Sequence, residues 1–110
     1  YALGDEWYAP LLWRSELTSA LMAIARRGLI NPPQARTALD ESNLIIPPEH
    51  EVRSDPQDIF ALALASGCTA YDCEYIAVAK LLGAPLATWD KHLLAAFPND
   101  AATPETLLGL

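Results

Sequence analysis

Apolar positions recur at helical spacing between Leu11 and Arg27, where Leu17, Ala20, Leu21 and Ile24 form one stripe. Pro10 stands just ahead of this stretch, Arg26 and Arg27 fall in its last turn, and Gly28 ends it, so the spacing predicts a helix. A second helix is expected from Pro33 to about Glu41. Asp55-Pro56 reads as a cap and first helical residue for a short apolar helix, Ile59 to Ser66, that stops at Gly67. Thr69 opens the next, which runs through Ile76, Ala79 and Leu82 to Gly83; Lys91 to Phe97 makes a small helix, and Thr103-Pro104-Glu105 starts a terminal turn. Between them lie apolar stretches too short for helices. Trp7 to Ala9 is a predicted strand ended by Pro10, Leu44 to Ile46 a buried strand closed by Pro47-Pro48, Pro85 to Thr88 an inner strand, and Ala101-Ala102 an edge strand. Helices alternating with short apolar strands predict an α/β fold, with a short, mostly parallel sheet flanked by helices. In such sheets reactive groups gather beyond the carboxyl ends of the strands.

The 110 residues suit one domain, expected to span residues 1–110, and a hydrophobic fraction of 52% excludes disorder as the main state. The longest uninterrupted apolar runs, such as Ile59 to Ala65, are far too short for a membrane span. Seven Lys and Arg against fourteen Asp and Glu give a formal charge of −7, which excludes a nonspecific DNA-coating role. That balance fits a cation-holding site, a basic partner, or plain solubility. Cys68 and Cys73 match neither a disulfide framework nor a metal-ligand spacing, and are read as reduced thiols. The opening Tyr1 to Glu6 has neither the basic start nor the apolar stretch of a secretory signal, so a cytoplasmic location is expected.

Three carboxylates carry the candidate chemistry. Glu16 has Leu12 and Trp13 behind it and Ala20, Ala23 and Ile24 ahead, a face where an ionised side chain is costly unless paired or led out to water. Asp72 closes Thr69-Ala70-Tyr71-Asp72, a capping-box pattern, yet it also shares a face with Cys68, Ile76 and Ala79. Asp90 follows Thr88 and Trp89 at the carboxyl end of a predicted strand, and equally suits the cap of the helix that Lys91 begins. Lys91 and His92 place positive charge beside it. Apart from those local uses, the three acids are expected to converge away from water. Clustered carboxylates repel, so they persist with bound cations or raised pKa values. Hard cations such as Mg²⁺ prefer oxygen ligands, and a metal-bound water attacks phosphorus, so the chemistry suggested is phosphodiester hydrolysis.

Three stretches bear a resemblance: Ala9-Pro10-Leu11-Leu12-Trp13-Arg14-Ser15-Glu16, Thr69-Ala70-Tyr71-Asp72 through Ala79, and Gly83-Ala84-Pro85-Leu86-Ala87-Thr88-Trp89-Asp90-Lys91. In these the chain resembles the PIN-domain family, most closely its VapC-type ribonuclease toxins from bacterial toxin–antitoxin pairs. The likeness extends over nearly the whole chain, including Ala102-Thr103-Pro104-Glu105. It implies a three-layer fold with the acids at one end of a parallel sheet, and Mg²⁺- or Mn²⁺-dependent cleavage of RNA. It implies that Glu16, Asp72 and Asp90 are three of the family's four metal-binding acids, and that Thr88 orients the last acid or the attacking water. Arg14, Lys91 and His92 are candidates to neutralise RNA phosphate. A small antitoxin that blocks the acids is the implied partner. A homodimer is expected as well, with Trp7, Tyr8, Leu11 and Trp13 as candidate apolar docking surface.

One departure stands out. The family opens with a strand carrying the first acid, then a helix, and neither is found here; Asp5 precedes the stretch that matches the second strand and does not replace that acid. The chain is therefore expected to be an N-terminally incomplete PIN-like domain. The alternative is a catalytically incomplete module that serves as an antitoxin-binding or dimerising remnant. A flavodoxin-like ligand-binding or receiver domain is a third reading, weakened because no glycine-rich phosphate loop appears.

Overall fold

The structure is a computed structural model that describes residues 2–3 and 6–109, so Asp5 lies outside the described residues. The elements in order are β1 (Ala2–Leu3), β2 (Glu6–Trp7), β3 (Ala9–Pro10), α1 (Trp13–Arg26), α2 (Pro32–Ile45), a 3-10 turn (Pro48–His50) and β4 (Glu51–Val52). They continue with α3 (Pro56–Ser66), α4 (Ala70–Leu82), β5 (Leu86–Ala87), α5 (Lys91–Ala96), β6 (Ala101–Ala102) and α6 (Pro104–Leu108).

The fold is mixed α/β, with short parallel strand pairs flanked by helices. Three two-residue ladders are formed among the described residues. β3 pairs parallel with β4, Ala9 opposite Glu51 and Pro10 opposite Val52, and β5 pairs parallel with β6, Leu86 opposite Ala101. β1 and β2 pair antiparallel. Pro10 does not end the first predicted strand but lies inside the two-stranded β3–β4 ladder, opposite Val52 and with its side chain buried.

Most helix ends follow local rules. Asp55, Thr69, Asp90 and Thr103 each cap the helix that follows by accepting backbone N–H bonds. α3 and α4 both end on glycines in the left-handed region, Gly67 at φ 73° and Gly83 at φ 63°, where a side chain would be strained. The strand expected at Leu44–Ile46 is not formed. α2 starts at Pro32 on a complete Asn31–Gln34 capping box and continues to Ile45, and only Ile46 turns extended before Pro47. Leu44 is 85% exposed, so this stretch is the outer face of a last helical turn rather than an inner strand.

The core centres on α4. Cys73, Ile76, Val78 and Ala79 are buried there, and α4 packs against α3, β3 and β5, with Ile59, Leu86, Leu93 and Ala101 closing round it. α1 is different: none of its residues is buried. Among the described residues no helix is long and apolar enough to cross a membrane.

Candidate functional site

Glu16 sits in the first turn of α1, and the structure places it at the surface. The expectation that it lies away from water is corrected, because the apolar stripe around it is only half-covered and its side chain reaches the rim. There it meets α4. The hydroxyl of Tyr75 donates a hydrogen bond to Glu16 Oε1. Burial, that bond, and the negative charges of Glu16, Glu74 and Asp72 all push the Tyr75 hydroxyl well above its ordinary pKa, with burial the largest cause. The hydroxyl therefore stays protonated and stays a donor.

Asp72 is half-buried one helical turn before Tyr75 on the same side of α4. Half of the predicted capping box forms: Thr69 Oγ1 accepts the Asp72 N–H at 3.1 Å. The return bond from the Asp72 carboxylate is not made, so that carboxylate is left to the surroundings it shares with Tyr75 and, through it, with Glu16.

Asp90 is exposed and serves its own helix. Its Oδ1 accepts the N–H groups of His92 at 2.9 Å and Leu93 at 3.1 Å, the cap that the sequence also allowed. Thr88 Oγ1 accepts the Asp90 N–H at 3.0 Å, which holds the backbone of that turn, and Thr88 N–H continues the β5–β6 pairing to Ala102 O. Trp89 between them donates its indole N–H to both carboxylate oxygens of Glu105, at 2.9 and 3.1 Å, and this bond holds Glu105 below the usual carboxylate range.

Of the candidate phosphate contacts, Lys91 and His92 are exposed on α5. Arg14 is not offered to a ligand. Its Nε pairs with Glu51, one terminal nitrogen donates to Ser42 Oγ at 2.9 Å and the other to the carbonyl of Ile46, while the guanidinium lies 5.2 Å from the Trp13 ring. This network ties α1 to the end of α2 and to β4. The fork geometry of guanidinium suits such multiple bonding.

The donor set of Glu16, Asp72 and Asp90, all carboxylate oxygens, has the hardness that Mg²⁺ or Mn²⁺ prefers. Yet among the described residues no three His, Cys, Asp or Glu side chains come close enough together to hold a metal ion. The structure thus bonds Glu16 to Tyr75, one helical turn after Asp72 on α4, and holds Asp90 on its own cap.

Between α1 and α4 an open groove of about 340 Å³ is lined by Leu12, Ser15, Glu16, Ser19 and Tyr71. Tyr71 and Tyr75 were not singled out from the sequence. Tyr75 stands three residues after Asp72, the spacing that shares a helix face, and that spacing is the signal by which it could have been found. Glu51, the partner of Arg14, carries no such signal, because the two are joined only by the fold.

No family model matches the chain. It is 36% identical, over 88 residues, to Ribonuclease VapC3 of Pyrobaculum aerophilum, an alignment that takes in 76% of this chain and 65% of the relative. The chain thus spans just under two thirds of the length of the curated relative it matches.

Proposed function

We propose, from its likeness to Ribonuclease VapC3, that this chain belongs to the VapC branch of the PIN-domain family and is an endoribonuclease, the toxin half of a toxin–antitoxin pair acting in the cytoplasm. The reaction is hydrolysis of RNA phosphodiester bonds. The observation that supports the reading is the hydrogen bond to Glu16, on α1, from Tyr75, which stands one helical turn after Asp72 on α4. Glu16 and Asp72 would hold a divalent cation, Mg²⁺ or Mn²⁺, with Asp90 as the third acid and Thr88 steadying its turn. Such a cation supplies Lewis acidity and a more acidic water.

The chain's own residues do the rest. Tyr75 orients the Glu16 carboxylate, and Lys91 and His92 lie next in sequence to Asp90, where they lower the repulsion between an RNA phosphate and the acids. With a formal charge of −7, RNA is held by local positive charge alone, so binding weakens as salt rises. A small antitoxin and a second copy of the chain are the partners this reading carries.

The alternative, a PIN-fold module without catalysis, is favoured by the absence of any three-ligand cluster among the described residues. One experiment separates the two: incubating single-stranded RNA with the protein in Mg²⁺, Mn²⁺ or EDTA, beside Glu16→Gln and Asp72→Asn. Cleavage that needs the cation and is lost in both variants supports the nuclease. Cleavage indifferent to chelation and to both substitutions removes it, and no cleavage by the full-length gene product leaves the binding module.

A further inference from the structure

The groove between α1 and α4 has a composition that the hydrolytic chemistry does not call for. Leu12, Ser15, Glu16 and Ser19 follow one another at the spacing of a single helix face, and Tyr71 closes the groove from α4. Tyr71 is 66% exposed. The other two described tyrosines are engaged: Tyr75 bonds to Glu16, and Tyr8 stacks on His50 with its hydroxyl on Glu6. Neither the ring nor the hydroxyl of Tyr71 has a partner of that kind among the described residues. Ser15 and Ser19 add two hydroxyls beside an apolar wall formed by Leu12.

We infer that this groove seats one unpaired nucleobase of the RNA, stacked on Tyr71 with its polar edge toward Ser15 and Ser19. The inference rests on the ribonuclease reading and adds to it the place where a base is held. Charge decides the occupant. Glu16 is the one charged residue lining the groove, which repels a bare phosphate and suits a neutral heteroaromatic ring. Unstacked RNA bases are commonly held on exposed aromatic faces, with hydrogen bonds to their edges. The volume lies at the lower end of small-ligand sites, enough for a base with part of its sugar. Because Glu16 belongs both to the groove and to the acidic surface, a base seated here sets which neighbouring phosphate faces the acids.

The test is an NMR titration of the protein in EDTA with the neutral nucleosides adenosine and cytidine, and with ribose as the control. Neutral probes avoid phosphate repulsion and need no cation. Ring-current shifts at the Leu12 methyls and the Tyr71 ring are expected with a nucleoside and not with ribose. Tyr71→Phe should keep them, and Tyr71→Ala should weaken nucleoside binding by roughly tenfold or more, in line with the loss of one stacked base. Tyr71 is exposed, so both variants should fold, and their unperturbed core resonances are the check. The inference is overturned if nucleosides and ribose behave alike, if Tyr71→Ala binds as the parent does, or if Phe loses as much as Ala. Cleavage of RNA is scored separately. A protein that cleaves RNA but fails this titration loses the base site alone, and one that passes it without cleaving loses the nuclease reading alone.

Discussion

The hydroxyl of Tyr75, in the middle of the central helix α4, donates to the Glu16 carboxylate at the rim of α1. The bond links a helix that carries the core to one with no buried residue. It is charge-assisted and partly shielded, so its removal is felt in both stability and geometry.

Tyr75→Phe removes the donor and keeps the ring. Stability is expected to fall by about 1–2 kcal/mol, and, on the proposed ribonuclease reading, RNA cleavage by roughly tenfold, since a charge-assisted bond of this kind contributes on that order. The pH dependence has a definite sign. The folded-state pKa of Tyr75 is raised above its ordinary 10.0, so its contribution is complete below pH 10 and is lost as pH climbs beyond that. Thermal melts of the parent should therefore decline more steeply in the alkaline range than those of Tyr75→Phe, and equal slopes would contradict the assignment.

Arg14 is a structural cation. Replacing it with Gln leaves Glu51 half-buried beside Ser42 and the Ile46 carbonyl without their donor, at an expected cost of about 2 kcal/mol, less than for a fully buried pair because both partners keep some exposure. Glu51→Gln should cost a similar amount, and the double variant little more than either. Urea denaturation of the four proteins gives the coupling. Additive losses would show that the network does not act as a unit.

Asp90 can be divided into its two roles. Asparagine is as good an N-cap as aspartate, whereas alanine is not, so Asp90→Asn should keep stability and Asp90→Ala lose about 1 kcal/mol. If the carboxylate also serves cleavage, Asp90→Asn should lower the rate by roughly a hundredfold with an unchanged melting curve. Full activity in Asp90→Asn would confine the residue to capping.

Glu105 holds the indole of Trp89, the residue between Thr88 and Asp90. Its pKa is lowered by that hydrogen bond first and by its own backbone N–H second, so the contribution is present above its ordinary value of 4.5 and fades as pH falls through the lower folded value. Trp89 fluorescence, read in variants lacking Trp7 and Trp13, should titrate below the usual carboxylate range. Glu105→Gln should abolish that transition.

Much of this protein is legible residue by residue. The starts of α3, α4, α5 and α6 at Asp55, Thr69, Asp90 and Thr103, and the stops at Gly67 and Gly83, follow from side chains that bond to their own neighbours and from glycines that accept positive φ. The alternation of helices with short apolar segments likewise settles the α/β class. Leu44–Ile46 was misread because a short apolar run has no period long enough to separate a strand from a final helical turn. What the chain order alone leaves undecided is every partnership made across space. Arg14 turns to Glu51, Ser42 and Ile46, β3 pairs with Glu51–Val52, and Tyr75 meets Glu16, because α1 packs on α2, β3 joins β4 and the rim of α1 reaches α4 only after the local elements exist. Local bonds need only neighbouring residues, whereas the Tyr75–Glu16 bond and the groove beside it exist only once α1 and α4, distant in the chain, meet.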